Sequence, residues 1–581
     1  MNKHYERLQG LLPERAEPGS NTWYQNPKAL RDWLANLPLA NQSLTAQQLL
    51  GVLREMNEVR MDALRRIDAL ELLRRPVQDV VDRLGVQLQS DAFPMSETRM
   101  RVCDTILEFV RELSTGYVAV VCDMCTPSGS VPFMRGKTVA LALTRAIQYL
   151  SARLWIAYQT HCVPQVGVWQ SLHDLFLLSV SLRCDEKAES DALLGGAKIS
   201  ARSAYMQALL HAFAKPYHFI QKENADLRAA LPALVSLCVL RPGYAPEGAI
   251  AVCTEGDTAP PGPVRGRHVA VESVWQLDVS ALLRTFDSEL ERRATDAISV
   301  RLQAGGAKAE LSVEMVERLT KTWRGRRERA FPRTADTVSM DAVIGLQAVH
   351  YVLAGEVDFD TFHNRARASG DAGEAAGDDR NAIFAQAGAS VVPARAQVVD
   401  RSIGGFRLRF DRNEDIRARV GELVALTPSD SSSRAWTVGI LRWLRVDAFG
   451  TVEVGIEMVS RDARAVSISS LDIRGFARPA MRGIFVVPAK ADDSGKLVPY
   501  VIVPLLFGRD AIAIEVSRVD QSTRDGGGRV EKTSDMRICP NGGVYFAIML
   551  PAHGADATDA ANDAALAKLV DFPQRTGTAQ S

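Results

Sequence analysis

Between Lys321 and Arg333 the chain carries six cationic side chains, Lys321, Arg324, Arg326, Arg327, Arg329 and Arg333, against a single acid, Glu328. All but one are arginines, whose planar forks suit two-point contacts to phosphate oxygens, or to the O6 and N7 edge of guanine, better than the point charge of lysine does. Pro332 disfavours helical backbone at Phe331, so the end of this segment reads as a loop entering a strand. The competing reading is a solvated basic helix terminus or linker. Further along, Val398-Val399-Asp400-Arg401-Ser402-Ile403-Gly404-Gly405-Phe406-Arg407-Leu408 places two small polar side chains and a glycine pair at a strand-to-strand junction. Asp400 can accept from the N1 and N2 donors of guanine, Ser402 can donate or accept, and Gly405 permits a turn or the close approach of a ligand. By itself the same stretch also fits a plain turn.

Other chemistry-bearing residues form no constellation. Cys122-Asp123-Met124-Cys125 is a lone C-x-x-C with no second pair at zinc-finger spacing, set against the apolar run Val118 to Val121, and reads as a buried pair. The nine histidines form no H-E-x-x-H, and His161, His173 and His211 read as ordinary helix residues. There is no G-x-S-x-G, Walker loop or G-x-G-x-x-G. The run Asp525-Gly526-Gly527-Gly528 reads as a turn between β segments. No metal site, cofactor or enzyme activity is expected.

A chain of 581 residues, at roughly 150 residues per domain, is multidomain. With 46% apolar and 24% charged residues it is neither collagen-like, wholly disordered nor a disulfide scaffold. Sixty-nine basic residues cancel 69 acidic ones, so no global field draws it to nucleic acid or an anionic bilayer, and any anion site must be local. Met1 to Arg7 lead into no signal-peptide core, and the longest apolar stretches, Tyr117 to Cys122 and Val501 to Phe507, are too short to span a bilayer. Eight scattered cysteines suit a reducing compartment. The expectation is a cytoplasmic protein without membrane insertion.

The elements that must position the two polar segments differ along the chain. Helical spacing runs from about residue 43 to 238, beginning at a Thr45-x-x-Gln48 capping-box signal and continuing at Met100 to Leu113, Lys137 to Tyr158, Val166 to Leu182 and Ala201 to Ile220. This predicts a repeat-like helical domain over 1–240. A mixed connecting region, 241–325, holds a loop or strand pair near Glu247 to Thr258 and helices around Val279 to Ala294 and Val313 to Trp323. After Val391 the period becomes two: Phe406, Leu408 and Phe410 share one face, Arg407 and Arg409 the other. A barrel region is assigned to 326–475, with a helix at Ala342 to Leu353 and a flexible insertion at about 355–392, where 13 of the 25 residues from Ala366 to Ser390 are Ala or Gly. A small β module over 476–552 and a tail over 553–581 complete the chain. The fold class is thus multidomain α+β.

Taken together, the two polar segments resemble the signature of the PilZ domain, a bacterial receptor for cyclic di-GMP. Its R-x-x-x-R is matched by Arg329-Ala330-Phe331-Pro332-Arg333, and its D/N-x-S-x-x-G by Asp400-Arg401-Ser402-Ile403-Gly404-Gly405. Strands at Val420 to Leu426, Trp436 to Trp443 and Val454 to Met458 follow the family's order. The 66 residues between Arg333 and Asp400 exceed the family's usual gap, and the insertion and helix account for the excess. The resemblance, over about 326–470, implies a six-stranded antiparallel barrel in which Arg329 and Arg333 clamp guanine and phosphate, Asp400, Ser402 and Gly405 complete the cyclic di-GMP site, and Arg326 and Arg327 are possible additions. It implies a receptor whose nucleotide capture reorients the helical domain toward a protein partner in motility, pilus or biofilm regulation. The alternative is a scaffold with a barrel that no longer binds nucleotide.

Overall fold

The computed structural model describes residues 2–550, apart from 20–21, 90–91, 128, 244–249, 258, 260–272, 294–297, 326–331, 368–390, 413–415, 431–434, 472–475, 477, 489–496, 508–510, 520–527, 535 and 542–543. The chain divides into two compact units. One comprises Met1–Pro332 with Asp411–Asn413 and Trp443–Val454; the other comprises Arg333–Phe410, Glu414–Arg442 and the chain from Gly455 onward.

The first unit is mainly helical: α1 (Lys3–Gly10), α2 (Pro27–Ala35), α3 (Gln42–Glu58), α4 (Ala63–Gln87), α5 (Glu97–Met124), α6 (Gly136–Gln159) and α7 (Val168–Ser181). A strand pair, β1 (Glu189–Asp191) and β2 (Ala197–Ile199), precedes α8 (Ala201–Phe213) and α9 (Gln221–Val235). On α5, Cys103, Ile106, Val110, Leu113, Tyr117, Val120 and Met124 recur every three or four residues and are all buried, which is the stripe that holds so long a helix. Gly116 lets α5 close on α4, since a Cβ there would meet the Leu70 side chain at 3.0 Å. The strand pair is tied to the helices by Asp191, which is buried with Arg74 and Arg145. The capping-box expectation at Thr45 is corrected: Asn41 is the N-cap, accepting from the Leu44 amide, while Thr45 lies within α3 and donates to the Pro38 carbonyl. Cys122 and Cys125 are free and buried, as expected. Burial pushes their thiols up to about 12 and about 11 respectively.

The connecting region is more β-rich than expected. β3 (Val239–Pro242), β4 (Ile250–Cys253) and β5 (Val274–Asp278) form a sheet of order β3-β5-β4. After α10 (Ser280–Arg292), the hairpin β6 (Ser299–Ala304) and β7 (Ala307–Ser312) turns at Gly305-Gly306, both with positive φ, before α11 (Val313–Trp323). The alternation Val300, Leu302 inward and Arg301, Gln303 outward carries that hairpin, which the reading from sequence missed.

The second unit opens with β8 (Thr334–Ala335), β9 (Ser339–Ile344), α12 (Leu346–Leu353) and α13 (Phe359–Arg367), then β10 (Ala394–Ser402), β11 (Gly405–Phe410), β12 (Leu423–Pro428), β13 (Thr437–Val446) and β14 (Val452–Ser460). Strands β11-β14-β13-β12-β9-β10 form a six-stranded antiparallel barrel, closed by the β10–β11 pairing. β8 continues β9 along the same edge of β10, displaced by the Asp336–Val338 turn. All but the last residue of β12 are buried, because Leu423 and Ala425 on its outer side join a cluster with Val349 and Val352 of α12 and with Ile484 and Ile502. Those two belong to a further half-barrel sheet of order β19-β18-β15-β16-β17-β21-β20, built from β15 (Ala463–Leu471), β16 (Met481–Val486), β17 (Tyr500–Pro504), β18 (Ala513–Val519), β19 (Gly528–Thr533), β20 (Arg537–Asn541) and β21 (Tyr545–Met549).

Three boundaries shift from the sequence reading. Residues 342–344 are strand, and the helix begins only after Gly345, whose φ of +100° is open to glycine at no steric cost. Residues 359–367 form a helix rather than part of an insertion: Asp358 accepts from the Thr361 amide, and Phe362 and Ala366 bury against Ala465. The later sheet starts at Ala463 rather than near 476. The Ala/Gly-rich stretch 368–390, the Asp525 turn and the tail lie outside the described residues. Among the described residues no helix is long and apolar enough to cross a membrane.

Candidate functional site

The local register of β10 and β11 decides what the second polar segment presents. The two strands meet at the two-residue loop Ile403-Gly404, which pairs Ser402 with Gly405, Arg401 with Phe406 and Asp400 with Arg407. Further from the loop the pairing is Val398 with Leu408 and Ala396 with Phe410, all four buried. Val399 is therefore a β-bulge. Without it Asp400 would share the parity of Ala396 and Val398 and point into the apolar barrel; with it, the carboxylate joins the outward face of Arg407 and Arg409.

Arg333 arrives at the same place by a different route. β8 pairs antiparallel with β10, Thr334 opposite Arg401 and Ala335 opposite Asp400, so Arg333 falls opposite Ser402 by one further step. Arg333 Nη1 donates to Asp400 Oδ1 at 2.6 Å, and Arg407 Nη1 lies 3.6 Å from Asp400 Oδ2. The three side chains are 32%, 19% and 31% exposed, so the cluster is reachable from solvent and only partly screened. Next to it, Arg401 Nε is 2.9 Å from Asp336 Oδ2, while Asp336 Oδ1 accepts from the amides of Thr337 and Val338 and so sets the turn between β8 and β9. The 66 residues between the two motifs are therefore no obstacle in space: β9, α12 and α13 occupy much of that gap, and β8 returns Arg333 to the edge of β10.

Each expected site residue can now be placed. Arg333, Asp400 and Ser402 are brought together. Ser402 is half-buried, and its hydroxyl makes a long 3.5 Å contact to the Gly405 carbonyl. Gly405 is buried, and its role here is packing: a Cβ would run into the Ile456 carbonyl of the neighbouring strand β14, so only glycine allows the two strands to lie this close. Arg326, Arg327 and Arg329 lie outside the described residues. Arg407 was read only as an outward-facing strand residue. The signal that finds it is the hairpin itself, because a two-residue loop at Ile403-Gly404 pairs residues whose numbers sum to the same value, and Asp400 then meets Arg407. Among the described residues no group of three or more His, Cys, Asp or Glu is arranged to hold a metal ion.

Chemically, two guanidinium groups around one carboxylate on an exposed strand face can exchange that carboxylate for a phosphate, and a freed carboxylate can take a guanine N1/N2 edge. The comparisons with known proteins bear on the same segments. A family model described as the N-terminal domain of the cyclic-di-GMP receptor FimW matches residues 28–245. A second, described as the middle PilZ domain of that receptor, matches residues 250–391 and 385–465. The cyclic-di-GMP receptor FimW of Pseudomonas aeruginosa is 26% identical over 490 residues, covering 77% of this chain and 79% of that protein. With a closed six-stranded barrel, an arginine and an aspartate from the two halves of the signature in contact at its edge, and the match of the middle PilZ domain model to this region, residues 326–470 form a PilZ domain.

Proposed function

We propose that this protein is a bacterial cyclic di-GMP receptor, without enzyme activity of its own and without a metal or cofactor, acting in the cytoplasm. The nucleotide is captured at the edge of the barrel by Arg329 and Arg333, with Asp400 and Ser402 on a guanine edge and Arg326 and Arg327 as possible further contacts. Capture reorders the arginine segment that links the helical unit to the barrel, and thereby changes how the helical unit engages a protein partner in motility, pilus or biofilm regulation. Such a switch is limited energetically by the ligand's differential affinity for the two arrangements.

The observation that supports this reading best is the 2.6 Å contact between Arg333 and Asp400, which unites motifs 66 residues apart on one exposed face. A ligand carrying two phosphates and two guanines offers several charge-assisted hydrogen bonds there, each contributing on the order of 1.5 to 3 kcal/mol. The test is calorimetric titration of the full chain with cyclic di-GMP, with GTP and cyclic di-AMP as controls. Saturable binding to cyclic di-GMP alone is expected, and Arg329→Ala and Arg333→Ala should each weaken it by about tenfold or more. Absence of binding by the folded wild-type chain would sink the receptor reading and leave a barrel used as a scaffold.

A further inference from the structure

The Asp400 carboxylate is shared. Its Oδ1 takes Arg333 from β8 and its Oδ2 faces Arg407 from β11, so one carboxylate bridges guanidinium groups that approach from two different strands. Two non-bridging oxygens of a phosphodiester have a similar span and a similar charge to the two oxygens of a carboxylate, and guanidinium groups bind both in the same forked manner. Asp400 therefore stands where a phosphodiester fits. It holds the two arginines at the separation such a group requires, in a site that is about a third exposed on its cationic members.

Building on the receptor reading, we infer that Arg407 is a further ligand-binding residue of this site, taking a phosphodiester oxygen of the dinucleotide in the place that Asp400 holds in this structure. Binding is then an exchange: the phosphodiester displaces the carboxylate from Arg333 and Arg407, and the carboxylate turns to the guanine edge. The geometry that allows this is the two-residue loop, which sets Asp400 opposite Arg407, together with the bulge at Val399, which lets Asp400 face outward while Val398 and Ala396 stay in the core. Arg409, two residues along the same exposed face and paired with Gln397, lies beyond the bridge and provides the natural control for a general electrostatic effect.

The test measures the affinity of cyclic di-GMP for the full chain as wild type and as Arg407→Ala, Arg407→Lys, Arg409→Ala, Asp400→Asn and the Asp400→Asn/Arg407→Ala pair, with melting temperatures alongside. Arg407→Ala is expected to weaken binding about tenfold or more, Arg407→Lys less, and Arg409→Ala less than twofold. If Arg407 touches the ligand, its removal must still weaken binding about tenfold when Asp400 is already Asn; if it merely orients Asp400, that loss vanishes in the double variant. The inference is overturned if Arg407→Ala binds within twofold of wild type, if its effect disappears beside Asp400→Asn, or if Arg409→Ala weakens binding equally. Should Arg407→Ala fail to fold, Arg407→Lys and Arg407→Gln carry the same comparison. A wild-type chain that binds nothing fails the receptor reading itself, whereas wild-type binding with an unaffected Arg407→Ala fails this inference alone.

Discussion

Asp191→Ala should destabilise the helical unit more than any exposed substitution. The carboxylate is 1% exposed and accepts from Arg74 Nη2 at 2.9 Å on both oxygens, from Arg145 Nη1 at 2.6 Å, from Gln148 Nε2 at 3.2 Å and from the Leu193 amide at 3.0 Å. Burial alone would raise its pKa, but hydrogen bonding and charge from Arg74, reinforced by Arg145, outweigh that and hold it below the usual carboxylate value. Removing it leaves two buried guanidinium groups, 6% and 1% exposed, with Glu71, 33% exposed, as their only counter-charge among the described residues. Breaking a buried pair from one side costs about 3–5 kcal/mol. At about 2.1 cal/mol/K per residue, a cooperative unit of roughly 350 residues has an unfolding entropy near 0.7 kcal/mol/K, so the melting temperature should fall by about 4–7 °C. Asp191→Asn, which keeps the shape and loses the charge, should fall between the two. The assay is calorimetry of the full chain with urea unfolding alongside; a shift under about 2 °C with an unchanged urea midpoint would refute the argument, because it would mean that the arginines find water or other partners at no cost.

Two further predictions concern the second unit. His350 is buried between α12 and the half-barrel sheet, close to Val466 O, and burial pushes its pKa down to about 4. Its folded value lies below the unfolded value near 6.5, so the stability it contributes is complete above pH 6.5 and is lost as pH falls toward 4, about 2 kcal/mol by pH 5; His350→Gln should flatten that part of the stability-versus-pH curve, and an unchanged curve would count against it. Gly405→Ala forces a methyl into the Ile456 carbonyl and should lower stability by about 1–3 kcal/mol in urea unfolding, whereas an unaltered midpoint would show that the strands part easily there.

Much of the architecture was legible in one dimension because it depends on local periodicity. The stripe on α5 and α6, the boundaries of α11 and the alternation of β11 and β14 follow from apolar spacing alone. The pairing of the two motifs did not: an arginine cluster before a strand and an Asp-x-Ser turn between strands are each local patterns, and only the resemblance to the PilZ signature joined them. Reading failed where a residue's state depends on what covers it. Residues 359–367 carry a Phe359, Phe362 and Ala366 stripe too short to stand as a helix in water, and they form one because Ala465 and its neighbours bury it. β15 was missed because its strand state depends on β16 and β18, which come later in the sequence, whereas the β6–β7 hairpin was overlooked although its local alternation around Gly305-Gly306 marks it.

The sequence by itself determined which residues are available to the site and on which kind of element each lies, because residue chemistry and helix or strand period are properties of short segments. Only the tertiary structure decided that Arg333 reaches Asp400 across 66 intervening residues and that Gly405 is needed where β11 lies against β14. The physical reason is register: a single extra residue at Val399 reverses the face on which Asp400 emerges, and the pairing that makes Val399 extra exists only once β10 lies between β8, β9 and β11.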